Sequence, residues 1–174
     1  MVSEAIELEK AFPPYGDLQA QDKEAIREFS LIWTCFERTI SEKTIILSGS
    51  ESLNAGKLRK LAAHLRHKGF SGPRCEAAYQ FWHARYDGLC SEGLKDALHC
   101  QASDKSDLLH IDLFNPDNDK AALNAAFVIT YRLRSNLFHG MKWQDRMVDQ
   151  KENFDHASQV MLEVMLHLNK GASA

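Results

Sequence analysis

Two basic side chains in the last third of the chain are of the types that phosphate chemistry needs. Arg134 and His139 interrupt an apolar run that Gly140 closes. Arginine offers a planar fork of donors that matches a phosphate, and histidine gains or loses a proton near neutral pH. Basic residues followed by a glycine also commonly close the C-terminus of a helix. The residues alone therefore leave two interpretations open, a phosphate site and a helix cap.

Helix geometry sets a condition on the first interpretation. Successive residues are about 100° apart around a helix, so positions 134 and 139 are roughly 140° apart and do not share a face. The two side chains converge only if His139 has left the helix or if a second copy of the chain supplies one of them. Gly140 makes the first route easy, because glycine adopts conformations that end helices.

The segment from Arg134 to Gly140 reads RSNLFHG and resembles the Arg-x4-His motif of the HEPN superfamily. Many members of this superfamily are small, all-helical, metal-independent endoribonucleases. This chain departs from the usual pattern at Ser135, where the family commonly has Asn, Asp or His. A second similarity joins Trp33 and Glu37 to the Trp-x3-Glu core helix of some members. The resemblance covers about residues 17 to 170.

The resemblance implies a set of roles for the residues near the motif. Arg134 and His139 are expected to be catalytic, and Ser135 or Asn136 to orient the substrate. The aromatic residues Tyr131, Phe138 and Trp143 are candidates either to stack on a base of the substrate or simply to pack in the protein. The implied substrate is single-stranded or looped RNA, bound in a homodimer cleft without a metal or cofactor. The family also implies a toxin or anti-phage effector, often with a neutralising antitoxin protein. Because the family also contains non-catalytic members, a module that binds RNA, a nucleotide or a protein without cleaving it is the alternative.

The elements that must position these residues are predicted to be helices. The chain has 174 residues with 44% hydrophobic content, which suits a single domain spanning residues 1–174. Apolar residues recur every three or four positions, which predicts an all-α, compact bundle of about five to six helices. The longest predicted helix runs from Asp17 to about Ser48 and buries Trp33 and Phe36. Before it, Pro13 and Pro14 predict extended backbone.

The helix after the serine-rich break at 48–52 carries the densest basic face of the chain. The serines of the break are potential helix caps, and Gly69 is expected to end the helix. Such a face is either simply solvated or positioned to follow an RNA backbone. The residues predicted to contact RNA are Lys57, Arg59, Lys60, Arg66 and Lys68.

The helix that carries Arg134 shows two apolar stripes where one is enough for a core. We therefore expect one stripe to meet a partner, which favours a symmetric dimer with Arg134 near its axis. The first stripe comprises Ala122, Ala126, Ile129, Leu133 and Leu137, and the second comprises Leu123, Phe127, Tyr131, Arg134 and Phe138.

Composition limits the remaining possibilities. The net charge of −3 argues against nucleic-acid binding through overall charge and allows only a local basic patch. The sequence shows neither a signal peptide nor a long apolar run, so we expect a soluble, cytoplasmic protein. The irregular spacing of the cysteines predicts reduced, packed thiols rather than a metal site or a disulfide framework; they are Cys35, Cys75, Cys90 and Cys100.

Overall fold

A computed structural model describes residues 4–47, 52–86, 119–138 and 149–170. Within these ranges the chain is a bundle of helices without strands, which confirms the predicted all-α class. No helix in these ranges has the length and apolar content needed to cross a membrane. The helices are α1 (Glu4–Ala11), α2 (Pro13–Gly16), α3 (Ala20–Lys43), α4 (Ala55–His67), α5 (Pro73–Arg85), α6 (Asp119–Phe138) and α7 (Lys151–Lys170).

Helix α3 supplies the aromatic centre of the core. Phe29, Trp33 and Phe36 are all buried, as predicted for the last two. Helix α7 packs along α3, and the rings of Phe29 and Phe154 are 5.0 Å apart between centres. The helix is shorter than the predicted span from Asp17 to Ser48, because Thr44 already has extended backbone. This aromatic centre is the surface on which α6 lies.

Helix α6 is buried on nearly every side by the chain itself. Its second apolar stripe packs on α3, where Phe127 lies 6.3 Å from Phe36 and Tyr131 lies 6.4 Å from Trp33, measured between ring centres. These pairs also show that α3 and α6 are antiparallel. The expectation that the stripe meets a partner is therefore wrong for its buried members, because the helix occupies the middle of the bundle. At the end of the stripe, Phe138 is exposed.

Helix α4 begins and ends with local caps. The Asn54 side chain accepts a hydrogen bond from the Lys57 backbone N–H at 2.9 Å, so an asparagine rather than one of the predicted serines is the N-cap. At the other end, Gly69 has a φ of 71°, and the Phe70 N–H donates to the Leu65 carbonyl. This left-handed glycine cap confirms the predicted end of the helix.

Two local predictions are wrong. Pro13 and Pro14 begin the short helix α2 instead of adopting extended backbone. The N–H groups of the first helical turn have no carbonyl partner within the helix, so a proline there loses no hydrogen bond. Cys35 is exposed, whereas Cys75 is buried as expected. Cys90 and Cys100 lie outside the described residues, as do positions 48–51 of the serine-rich break.

Helices α5 and α7 run antiparallel and are joined by polar contacts along their length. Near one end, the Glu163 carboxylate accepts hydrogen bonds of 3.0 to 3.1 Å from the backbone N–H groups of Arg74 and Cys75. Near the other end, Asn153 accepts a hydrogen bond from the indole N–H of Trp82 at 3.1 Å. A carboxylate at the start of α5 offsets the positive end of the helix dipole. These contacts hold α7 against α5.

Candidate functional site

Arg134 lies near the C-terminal end of α6, next to two aromatic rings. Its guanidinium carbon is 5.6 Å from the centre of the Trp33 ring and 4.9 Å from the centre of the Phe138 ring. Trp33 comes from the buried face of α3, whereas Phe138 lies four residues after Arg134 on the same helix, the spacing that places side chains next to each other. Both distances are within the range of a cation–π contact.

Arg134 and Trp33 each carry a buried N–H group that has no described acceptor. Arg134 Nε and the indole Nε1 of Trp33 are both buried, and neither has a hydrogen-bond partner in the described part of the chain. Thr130, one turn before Arg134 on α6, has a buried hydroxyl in the same condition. Leaving a buried donor unpaired costs about 1–3 kcal/mol. An N–H group of a cation pairs best with an anionic acceptor, so an oxyanion is the ligand that would suit the Arg134 Nε.

The structure brings Tyr131 to the Arg134 site but separates Asn136 from it. Tyr131 is half-buried and contacts Trp33 with its ring, so it supports the same indole that holds the guanidinium group. Asn136 is only 9% exposed. Its side chain leaves α6 roughly 200° away from that of Arg134, on the far side of the helix. Ser135, which is half-buried, lies between them.

The second residue of the motif, His139, lies outside the described residues, as does Gly140. Helix α6 is described as far as Phe138, one residue before the histidine. The convergence of Arg134 with His139 therefore stays a prediction of the sequence.

The predicted basic face of α4 is present, and its Arg66 end lies away from Arg134. Lys60 and Lys68 are exposed, whereas Arg59 is half-buried. Lys57 donates to the Ser52 carbonyl at 3.1 Å, and Arg66 donates to the Asn124 side chain at 3.4 Å.

Asn124 is near the start of α6 and Arg134 near its end, a separation of roughly 15 Å along the helix. The structure thus places the Arg66 end of the basic face and the arginine of the motif at opposite ends of α6. A ligand that contacts both regions must span at least this distance.

Glu37, the acidic residue of the Trp-x3-Glu similarity, bonds to the backbone of another segment. Its carboxylate accepts a hydrogen bond from the Leu53 backbone N–H at 3.0 Å. The residue therefore ties α3 to the segment that leads into α4 and does not contact a basic side chain of the motif in the described part of the chain.

No family model, curated protein or solved structure matches this chain. The geometry around Arg134 is consequently the evidence on which a function is argued.

Sequence reasoning missed the partners of Arg134. The contact with Phe138 was available from the four-residue spacing on one helix. The contact with Trp33 crosses from α6 to α3, and the sequence marked Trp33 only as a core residue. One indication of these contacts was present in the sequence, because Arg134 lies in an apolar stripe that also contains aromatic residues.

Proposed function

We propose that the chain is a metal-independent endoribonuclease of the HEPN type that cleaves single-stranded or looped RNA. The observation that carries the proposal is the state of Arg134. Its guanidinium group contacts the rings of Trp33 and Phe138, and its buried Nε has no acceptor among the described residues. If this arginine served only for packing, an apolar residue in its place would lose the cation–π contacts but would also remove the cost of the buried unpaired donor.

The proposed chemistry needs a base, an acid and a positive charge. A base removes the 2′-hydroxyl proton, the resulting oxygen attacks phosphorus, and an acid protonates the departing 5′-oxygen. Arg134 stabilises the added negative charge on the phosphate. His139 acts as base or acid, and His139 of a second copy in a homodimer supplies the other proton transfer. Ser135 is the nearer candidate for orienting the substrate, since Asn136 is turned away.

Single-stranded or looped RNA fits this chemistry better than a regular duplex. The attacking 2′-oxygen must lie in line with the leaving 5′-oxygen, which a flexible strand allows. Cytoplasmic action as a toxin or anti-phage effector, with an antitoxin protein as a further partner, belongs to the same proposal. A cell that makes such an enzyme unopposed would lose its own RNA.

The test compares purified wild type with Arg134→Ala and His139→Ala on total RNA in the presence of EDTA. Chelator-resistant cleavage that is lost in both variants, with melting temperatures near that of wild type, supports the nuclease. Matched controls are Arg27→Ala and His83→Ala, which remove an arginine and a histidine from exposed positions on α3 and α5. Both controls are expected to cleave like wild type.

A second function, RNA binding without cleavage, is favoured by one feature. Ser135 stands where the motif usually has a stronger polar helper, while the aromatic setting of Arg134 suits holding a phosphate. Binding that depends on Arg134, with no cleavage by wild type, would identify this module. Lower melting temperatures in both motif variants, with neither binding nor cleavage by wild type, would leave Arg134 and His139 as structural helix caps.

A further inference from the structure

We propose that Phe138 stacks on a nucleobase of the RNA, so that the site selects an unpaired base beside the phosphate held by Arg134. The inference rests on the proposed function in one respect, that RNA is the ligand. It adds a subsite and a substrate requirement that the arginine and histidine of the motif do not specify.

The surroundings of Phe138 distinguish it from the other aromatic residues near the site. Tyr131 and Trp33 contact each other within the bundle, and Trp33 is only 3% exposed. Phe138 is 54% exposed although it is a large apolar side chain in the last turn of a helix. Its ring contacts the guanidinium group of Arg134 and still leaves much of its surface open. Among the described rings of this site, Phe138 is therefore the one most open to a base, and Trp143 lies outside the described residues.

Charge and shape together indicate what the open ring binds. A nucleotide presents an anion and a flat aromatic base joined by a sugar, and the site presents a cation and a flat ring 4.9 Å apart. Stacking of a base on an aromatic side chain tolerates any base, because every base has a π-face. A base inside a duplex is already stacked on both sides, so an unpaired base is required.

The test measures binding to an RNA that the protein cannot cleave. The probe is an end-labelled RNA hairpin with an unpaired loop, 2′-O-methylated to remove the attacking hydroxyl. A series of probes replaces each loop nucleotide in turn with an abasic one. Dissociation constants are compared for wild type, Phe138→Leu and Phe138→Tyr. Leu166→Ala is the matched control, because Leu166 is a similarly exposed apolar residue, 52% exposed, on α7.

Wild type is expected to lose roughly 5- to 150-fold in affinity when one particular base is removed, the range for a single stacked base. Phe138→Leu should bind that abasic probe and the intact probe equally, whereas Phe138→Tyr and Leu166→Ala should keep the wild-type difference. A purely structural role for Phe138 would change overall affinity but not this dependence on one base.

Three results would overturn the inference. The first is a Phe138→Leu protein that loses as much affinity as wild type at every abasic position. The second is a wild type whose affinity no abasic position lowers, and the third is a wild type that does not bind the hairpin. These outcomes are separate from the nuclease test, because the probe is not cleaved. RNA cleavage by a protein that does not discriminate between the abasic probes would contradict only the stacking proposal. Discrimination between the probes by a protein that does not cleave RNA would contradict only the nuclease proposal.

Discussion

The guanidinium group of Arg134 lies over the ring of Trp33, with 5.6 Å between the guanidinium carbon and the ring centre. This relationship joins the C-terminal end of α6 to the buried aromatic face of α3. It places a positive charge next to the core while leaving two buried N–H donors, one from each residue, without a described acceptor. Because such donors are costly for folding, they are the basis on which we propose that an oxyanion binds at Arg134.

We expect Arg134→Met to abolish RNA function with little effect on stability. The change loses two cation–π contacts, each worth about 0.5–1 kcal/mol, but also removes a buried unpaired donor that costs about 1–3 kcal/mol. The free energy of unfolding in urea should thus fall by no more than about 1 kcal/mol, while the proposed RNA cleavage falls at least about 100-fold. Arg27→Met is the control on an exposed face. A loss of stability above about 2 kcal/mol would show that Arg134 is mainly structural.

Asn153 should be among the most important polar residues for stability. Its side chain accepts a hydrogen bond from Trp82 at 3.1 Å and donates to the Tyr86 hydroxyl at 2.9 Å. Asn153→Ala leaves the buried indole N–H unpaired, so urea unfolding should show a loss of about 2–3 kcal/mol. Asn169→Ala, at an exposed position of the same helix, should stay within about 0.5 kcal/mol of wild type. Equal effects of the two substitutions would contradict this assignment.

The two described cysteines should differ sharply in reactivity. Burial, and then the nearby Glu163 carboxylate, raise the pKa of the Cys75 thiol far above its ordinary value of 9.0. Since the thiolate is the reactive form, iodoacetamide at pH 8 should alkylate the exposed Cys35 and leave Cys75 unmodified until urea unfolds the protein. Peptide mapping by mass spectrometry gives the readout. Alkylation of both residues at similar rates in the native protein would contradict the buried position of Cys75.

The same raised pKa predicts a loss of stability in base. Above about pH 9 the unfolded chain releases the Cys75 proton while the folded chain keeps it, so the free energy of unfolding falls as pH rises. Cys75→Ala should show a shallower decline between pH 9 and 10, measured by urea unfolding. Parallel curves for the two proteins would show that Cys75 makes no contribution there.

His156 should make the protein less stable in mild acid. Its ring stacks on Phe81 with 4.1 Å between centres, and burial lowers its pKa against the opposing effects of Glu152 and Asp155. Below about pH 6.5 the unfolded chain binds a proton that the folded chain resists, so stability falls as pH decreases. His156→Phe keeps a stacking ring without a titratable group. Its urea-unfolding midpoint should vary less than that of wild type between pH 7 and 5, and an unchanged slope would count against this role.

The sequence by itself determined the helices and much of the core, because these follow from local chemistry. A repeat of three to four residues can bury only one side of a helix, which marked Trp33 and Phe36 correctly. Gly69 ended α4 as predicted, since a left-handed cap needs only the glycine and its neighbours along the chain. The resemblance to the Arg-x4-His motif also came from adjacent residues, and the nuclease it implies stays a prediction.

The tertiary structure decided which groups meet across helices. The second stripe of α6 appeared to need a partner, but α3 already covers Phe127 and Tyr131. Likewise, only packing could set Trp33 against Arg134, because these residues are a hundred positions apart and no local rule relates them. The periodicity of apolar residues predicts that a side chain is buried. Which side chains cover it depends on how whole helices pack against each other.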